Sequence, residues 1–342
     1  MTRILKRIRY DEEKTVNKTL LTTLLATLGT GLAAPAVADS FPAAPITIVV
    51  PMAAGGPTDT AARAIQQAMG AALGQSVVIE NKAGAAGLIA MNFVRRAKPD
   101  GYTLGVASAT THAIAPNIYT EAPYDSVKDF SFVGALITAP GVLVVAPSVA
   151  PKCDMQAFLK NLKANPDKYS YGSAGAGSLS HLNGARFLQA TGTNMLHVPY
   201  RGLSNAMNDL YAGQVHAVFD NVSSAMTHIK SGKVCALAVQ APSRLDSLPD
   251  VPTYVELGLP ELNKPTWYGI VGPAGMPKER VQALNRALNK ALASSEVASL
   301  YERQGVAAAA GSADDFAGKV ASERQMWADT TARMKFEKFS VK

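Results

Sequence analysis

Short apolar runs alternate with helix-length amphipathic segments over most of this 342-residue chain. Such alternation is typical of strand–helix units that build a parallel sheet covered by helices, so the sequence predicts an α/β fold. The predicted strands are Ile46 to Val50, Val77 to Glu80, Tyr102 to Ala107, Val142 to Ala146, Tyr169 to Gly172, Met195 to Val198, Ala217 to Asp220, Val234 to Val239 and Tyr268 to Val271. The predicted helices between them include Thr58 to Leu73, Gly87 to Ala97, Met155 to Ala164, His181 to Ala190 and Ser223 to Lys230.

The last third of the chain changes character after Pro277. Apolar residues recur at helical spacing over 281–292, and helical patterns continue to about Arg333. These helices are expected to pack on a sheet built earlier. Proline-containing stretches stand where the chain is expected to cross between two lobes. We therefore expect a first lobe of residues 39–139 and 266–342, with a second lobe, residues 140–265, inserted into it.

Residues 1–38 have the pattern of a secretory signal peptide. Basic side chains precede an apolar stretch from Leu20 to about Ala34, and small residues stand before an expected cleavage after Ala38. A membrane anchor is the alternative, but the apolar stretch is shorter than the roughly 20 residues that a span needs. The sequence predicts export to the periplasm.

Two cysteines, Cys153 and Cys235, remain after this cleavage. Export takes them to an oxidising compartment, where a pair tends to form a disulfide. A disulfide requires Cα atoms within about 7 Å of each other, which the sequence does not reveal. Two separate buried thiols therefore remain the alternative.

The charge balance argues against a nucleic-acid partner. The chain has 33 Lys and Arg residues against 26 Asp and Glu residues, and six of the basic residues belong to the predicted signal peptide. No Lys- or Arg-rich run follows residue 38, so a polyanion is a poor candidate ligand. A small positive excess can still attract a small anion.

Two glycine-rich turns each follow a predicted strand and precede a predicted helix. They are residues 54–59, Ala-Gly-Gly-Pro-Thr-Asp, and residues 173–178, Ser-Ala-Gly-Ala-Gly-Ser. The first N–H groups of a helix are unpaired and lie at the positive end of its dipole, so each turn can hold an anion, although an ordinary turn is the alternative. Thr58 or Asp59 is expected to cap the first helix. His181 either lines the cleft beside the second turn or is an ordinary, partly exposed polar residue. Both turns lie at carboxyl ends of strands, where ligands bind in open sheets.

Motifs of catalysis and of nucleotide binding are absent from the sequence. The turn at 175–180 lacks the third glycine of a dinucleotide fingerprint, and no glycine loop ends in Gly-Lys-Ser or Gly-Lys-Thr. The stretch 171–175 does not form a Gly-x-Ser-x-Gly nucleophile elbow, and the five histidines have no metal-ligand spacing. We expect binding without turnover, with no catalytic residue, no metal and no cofactor.

A series of short motifs along the chain resembles the Bug-type, TctC-like receptors, which are the extracytoplasmic solute-binding proteins of tripartite tricarboxylate transporters. The match covers nearly the whole chain after residue 38, in order. The motifs are Val50-Pro-Met-Ala-Ala-Gly-Gly-Pro-Thr-Asp59 with Ala62-Arg63, Asn81-Lys-Ala-Gly-Ala-Ala-Gly87, Lys98-Pro-Asp-Gly-Tyr102, Tyr171-Gly-Ser-Ala-Gly175, His197-Val-Pro-Tyr-Arg-Gly202, Phe219-Asp-Asn221, Leu248-Pro-Asp-Val-Pro252 and Gly269-Ile-Val-Gly-Pro-Ala-Gly275.

The resemblance implies a type II periplasmic-binding-protein fold, with two α/β lobes that close on a small carboxylate. It also implies that the partners are the membrane components of such a transporter and that the receptor is a monomer. One departure is Ala53-Ala54, where the family often has a proline before the glycine pair. The ligand-binding residues expected from the turns and the resemblance together are Ala54, Gly55, Gly56, Thr58, Asp59, Ser108, Thr110, Thr111, Ser173, Ala174, Gly175, Ser178, His181, Tyr200 and Asp220.

Charged side chains near these turns have two interpretations. Asp220 is a natural partner for a ligand ammonium group and would repel a plain dicarboxylate, or else it caps the helix that begins near Ser223. Arg63 and Arg201 contact the anion or form structural ion pairs. A sensor of the same fold that signals to a membrane kinase, and an enzyme on a similar scaffold, are the alternatives to a transport receptor.

Overall fold

We describe the fold from a computed structural model. The structure describes residues 41–333 except 53, 167 and 201, together with residues 336 and 338–340. The predicted signal peptide, residues 1–38, lies outside this part of the chain, as does Arg201.

The strands of the described chain form two sheets, one with six strands and one with five. The strands are β1 (Ile46–Val50), β2 (Val77–Asn81), β3 (Thr103–Ser108), β4 (Phe130–Ala139), β5 (Gly141–Val145), β6 (Ser170–Ser173), β7 (Leu196–Pro199), β8 (Ala217–Asn221), β9 (Cys235–Gln240), β10 (Thr266–Pro273) and β11 (Ala307–Ala308). The strand orders are β11-β4-β10-β3-β1-β2 in the first sheet and β7-β6-β8-β5-β9 in the second.

Ten α-helices of the described chain accompany these sheets. They are α1 (Pro57–Leu73), α2 (Leu88–Arg95), α3 (Ala115–Ile118), α4 (Met155–Ala164), α5 (Leu179–Thr191), α6 (Leu203–Tyr211), α7 (Val222–Lys230), α8 (Lys278–Leu292), α9 (Ser295–Arg303) and α10 (Ala313–Arg333). No helix in the described part of the chain is both long enough and apolar enough to cross a bilayer.

The molecule is a two-lobed α/β protein, as the sequence predicts. We call the six-stranded sheet with its helices the first lobe and the five-stranded sheet with its helices the second lobe. Strands of the first lobe come from residues before 140 and after 265, whereas those of the second lobe come from 141–240. The domain boundaries themselves stay a prediction.

The sheets are mixed, so the expectation of a parallel sheet is wrong in part. β10 runs antiparallel to β3 and β4, and β5 runs antiparallel to β8 and β9. The chain crosses from the first lobe to the second between β4 and β5. These two strands are joined by Pro140 alone, without the helix that usually connects parallel strands. The carbonyl oxygen of Pro140 accepts a hydrogen bond from the Val222 N–H (2.9 Å).

Local sequence explains where the helices begin and end. α1 has Pro57 at its first position, where a missing N–H costs nothing, and Gly74 ends it in a left-handed conformation. α4 begins after Asp154, whose carboxylate accepts from the N–H groups of Gln156 (3.2 Å) and Ala157 (2.9 Å). Apolar residues at helical spacing then bury one face of each helix on its sheet.

Cys153 and Cys235 are joined by a disulfide, with a Cα–Cα distance of 5.0 Å. The bond ties the 3₁₀ turn Pro151–Cys153, just before α4, to the first residue of the edge strand β9. It closes a loop in which the two residues are 82 positions apart. The second lobe therefore has a covalent link between its early and late segments.

We predict that replacing both cysteines with alanine lowers the free energy of unfolding by about 2–4 kcal/mol, because the unfolded chain then loses a long loop constraint. Urea denaturation of the oxidised protein and of the variant measures this difference. Dithiothreitol should lower the midpoint of the original protein and leave that of the variant unchanged. Equal midpoints for all samples would contradict a stabilising disulfide.

Candidate functional site

The first glycine turn joins β1 to α1 and exposes Ala54 and Gly55. Gly55 has a φ of +81°, a conformation that other residues adopt only with strain. The N-cap of α1 is Gly56, which makes no side-chain cap bond, so the expectation that Thr58 or Asp59 caps this helix is wrong. A glycine cap leaves the first N–H groups of α1, those of Thr58 and Asp59, without a side-chain acceptor from the cap residue.

The buried carboxylate of Asp59 holds this turn in place through hydrogen bonds. The residue is 1% exposed, and its carboxylate accepts hydrogen bonds from the Gly55 N–H (2.8 Å), Arg63 Nε (2.8 Å) and Asn81 Nδ2 (2.9 Å). Burial raises the pKa of Asp59, but the bonds from Arg63, Gly55 and Asn81 outweigh burial and leave the pKa below its usual value. Arg63 thus forms a structural ion pair, one of its two expected roles.

The third predicted segment, Ser108 to Thr111, begins a π-helical turn over Ala109–Ile114. The Ser108 N–H donates to Thr111 Oγ1 (3.0 Å), and the Thr111 N–H donates to Ser108 Oγ (3.2 Å), which closes a capping box. Thr110 is half-buried between them. A Cβ on Gly87 would lie 2.6 Å from Thr111 Cγ2 and 3.0 Å from Pro51 Cβ. The turn is therefore packed close to the first glycine turn.

His112 follows this segment and is fully buried. Its Nδ1 shares a hydrogen bond with Thr111 Oγ1 (3.0 Å), its Nε2 has no partner, and its ring lies 4.7 Å from that of Phe130. Burial lowers the pKa of His112 to about 3. The ring is neutral in the native protein and acts as part of the core.

The second glycine turn joins β6 to α5, and the structure uses most of its N–H groups internally. The Ala174 N–H donates to Ser180 Oγ (2.9 Å), the Gly175 N–H to Ser173 Oγ (3.1 Å) and the Gly177 N–H to His181 Nδ1 (3.0 Å). Ser178 is the N-cap of α5, and its Oγ accepts from the His181 N–H (3.3 Å). Amide groups are thus less available here than in the first turn.

His181 stacks on His197 beneath the second turn, with ring centroids 3.8 Å apart. Burial lowers the pKa of both rings, to about 4 for His197, whose pKa is lowered further by the charge of His181. His197 Nε2 shares a hydrogen bond with Ser173 Oγ (2.6 Å). The pair of neutral rings therefore fixes the shape of the turn through Ser173 and Gly177.

Tyr200 and Asp220 lie at the same end of the second sheet. The Tyr200 hydroxyl donates to Asp209 (2.6 Å), and burial together with Asp209 raises the pKa of Tyr200 to about 12. Asp220 Oδ1 accepts from the Asn221 N–H (2.7 Å) and Ser224 Oγ (2.5 Å). The N-cap of α7 is Asn221, which makes no side-chain cap bond, so the interpretation of Asp220 as the cap of this helix is wrong. Burial raises the pKa of Asp220 to about 6 in spite of these bonds.

Tyr268 is a site residue that the sequence analysis did not identify. It pairs with Ser108 across β10 and β3 and is 7% exposed. Burial is the largest influence on the pKa of Tyr268 and raises it; the Thr58 side chain lowers the pKa, and the Asp220 carboxylate raises it. Tyr268 therefore lies beside Ser108, an expected residue of the first lobe. The tyrosine at the start of the predicted strand 268–271 was the available signal.

The candidate residues around the two turns offer mainly backbone amides and hydroxyl groups. Neutral donors at a helix start suit a small anion, and Asp220 adds one acidic side chain. On the second lobe, Gly177 lies against Ile118 and Phe339, which are residues of the first-lobe side. In the described chain no group of three His, Cys, Asp or Glu residues is arranged to hold a metal ion.

Comparison with known proteins gives consistent matches. Residues 61–334 match the family described as "Tripartite tricarboxylate transporter family receptor". Protein BugT of Bordetella pertussis is 35% identical over 326 residues, which are 92% of this chain and 99% of BugT.

Two solved structures are similar to this chain as well. A protein of R. palustris solved with adipate has a TM-score of 0.80, 30% identity and coverage of 87% of this chain and 100% of its own. MatC of Rhodopseudomonas palustris with bound malate has a TM-score of 0.76, 34% identity and coverage of 85% and 99%.

We predict that His112 makes the protein less stable in acid. Above its unfolded pKa of about 6.5 both states are neutral; below it the unfolded state takes up a proton that the native core excludes, so the free energy of unfolding falls by about 2–3 kcal/mol by about pH 4.5. A His112→Phe variant should lose this part of the pH dependence. Urea denaturation at several pH values measures it, and parallel curves for the two proteins would contradict the assignment.

Proposed function

This chain belongs to the receptor family of the tripartite tricarboxylate transporters, and we propose that it captures a small dicarboxylate in the periplasm and delivers it to the membrane components of such a transporter. Members of this family are solute-binding receptors, so the protein is a receptor and not an enzyme. The proposal includes secretion through residues 1–38 and action as a monomer.

The observation that carries the ligand class is the start of α1. Gly56 leaves the first N–H groups of this helix uncapped, and Asp59 holds the exposed Ala54 and Gly55 in position beside them. Charge-assisted hydrogen bonds from N–H groups to a carboxylate are stronger than neutral ones, and the helix dipole adds about half a positive charge. One carboxylate of the ligand would bind here without an arginine.

The second lobe would bind the other end of the ligand. The exposed Ala174 and the half-buried Gly175 and Ser178 border this side, and Asp220 closes it. With a pKa of about 6, Asp220 is partly protonated at weakly acidic pH and then donates a hydrogen bond to a carboxylate instead of repelling it. Malate and adipate, bound by the two similar structures, are both dicarboxylates, which supports this choice over an amino acid.

The mechanism we propose is closure of the two lobes around the ligand. A ligand that contacts both lobes stabilises the closed state by its differential affinity for that state. A micromolar dissociation constant needs about 8 kcal/mol in total. The remaining expected contacts of the site are Thr58, Thr110, Thr111, Ser108, Ser173, His181 and Tyr200.

We predict that malate or adipate raises the melting temperature, whereas their diamides do not. A ligand at about 100 times its dissociation constant adds about 2.7 kcal/mol, which corresponds to a shift of several degrees. Thermal unfolding with both acids, citrate, acidic amino acids and the two diamides measures this. An equal shift with the diamides, or no shift with any carboxylate, would count against the proposal.

We further predict that Gly55→Ala weakens carboxylate binding by about tenfold, or about 1.4 kcal/mol. The control is Gly74→Ala at the other end of α1: both glycines have positive φ, +81° and +70°, and an added Cβ meets nothing within 4 Å at either. Each variant should lose about 1 kcal/mol of stability through backbone strain. Titration calorimetry should show weaker binding for Gly55→Ala alone; equal affinities would remove the turn from the site.

A further inference from the structure

Arg186 is a buried arginine that connects the two lobes. It lies on α5, the helix that begins at the second glycine turn, and its side chain faces α10 of the first lobe. The guanidinium carbon is 5.1 Å from the centroid of the Trp327 ring, and the two residues are 8% and 2% exposed. A cation over an indole ring in a desolvated place is an attractive pair.

The remaining contacts of Arg186 lie at the crossing between the lobes. Its Nη2 donates to the carbonyl oxygen of Glu261, in the 3₁₀ turn Pro260–Leu262 that precedes β10. Its Nη1 has no partner, and Arg186 forms no ion pair with any described residue. Burial lowers the pKa of Arg186, and the more distant carboxylates of Glu261 and Glu323 oppose that effect.

This arrangement of Arg186 lowers the free energy of unfolding. A buried charge with an unsatisfied donor costs free energy, and an apolar side chain of the same volume would fill the place without that cost. Unsatisfied buried donors are few in native proteins, so each one calls for an explanation. A role of Arg186 beyond fold stability would supply one.

The position of α5 suggests what that is. Leu182, one turn before Arg186, is buried in the same cluster as Trp267, Phe316 and Trp327 of the first lobe. One face of α5 thus rests on the first lobe while its start carries the second glycine turn. Any tilt of α5 on α10 moves that turn relative to the first turn.

We propose that Arg186 is a positioning residue: through Trp327 and the Glu261 carbonyl it sets the angle between the lobes, and thereby the distance between the two halves of the ligand site. This inference rests on the proposed function, since it concerns closure on a ligand. Arg186 does not contact the ligand and acts on affinity through α5.

The test compares Arg186→Met with Arg244→Met. Arg244 is also an arginine of the second lobe, but it is exposed and bonds to Glu256 (2.8 Å) and the Pro249 carbonyl (3.1 Å) within that lobe. Arg186→Met should bind malate and adipate about tenfold more weakly while its melting temperature stays equal or rises. Arg244→Met should leave affinity unchanged. A merely structural role for Arg186 would lower melting temperature and affinity together, and that result would overturn the proposal.

A spectroscopic measurement distinguishes an effect of Arg186 on the position of α5 from a general loss of packing around this residue. The chain has two tryptophans, so protein labelled with 5-fluorotryptophan gives one fluorine resonance for Trp267 and one for Trp327. Ligand should shift the Trp327 resonance in the original protein, and this response should be lost in Arg186→Met. Arg186→Lys keeps the charge without the planar group that stacks on the ring, and it should lie between the two. An undiminished Trp327 response in both variants would overturn the proposal.

A ligand-free measurement keeps this inference distinct from the proposed function. Spin labels on Lys230→Cys and Glu296→Cys, exposed positions on α7 and α9, report the distance between the lobes. Without ligand, Arg186→Met should broaden the distribution of that distance, and an unchanged distribution would overturn the role of Arg186. If neither malate nor adipate binds the original protein, the dicarboxylate proposal fails, while this measurement still decides the role of Arg186.

Discussion

The buried carboxylate of Asp59 determines the geometry of the candidate site. It holds the Gly55 amide from one side and Asn81 and Arg63 from the other, so the end of β1, the start of α1 and the end of β2 form one hydrogen-bonded unit. The turn can consist of small residues because the hydrogen bonds of the Asp59 carboxylate hold its backbone in place. An exposed backbone that is already fixed loses little entropy when it binds a ligand.

The two glycine turns differ in how their N–H groups are bonded, and their sequences do not show this difference. Both have glycines between a strand and a helix, yet the first keeps its helix N–H groups free of side-chain caps, whereas the second bonds its amides to Ser173, Ser180 and His181. The first turn offers fixed donors and the second offers a shaped surface. The two carboxylates of a dicarboxylate would therefore meet different kinds of contact at the two turns.

The sequence predicts the elements with strong periodicity well. β1 and α4 have the predicted bounds, because each combines an apolar pattern with clear end signals. It does not predict β4 or α6, and it misses the antiparallel direction of β10, because strand direction depends on where a chain returns from the other lobe. Tyr268, which pairs with Ser108, was missed for the same reason: the register of β10 with β3 brings it beside that residue. The internal use of amides in the second turn depends on His181 and Ser180 rotamers that no pattern of residue types specifies.

Pro140 has a mechanical consequence. It is the single residue between β4 and β5, its ring fixes φ, and its carbonyl is bonded to Val222, so it moves with the second lobe. On the other side of the crossing, Ala139 pairs with Thr266 of β10, so the chain is anchored in both lobes within one residue of Pro140. Few backbone torsions are therefore free at this crossing, which would restrict the directions in which one lobe could turn relative to the other.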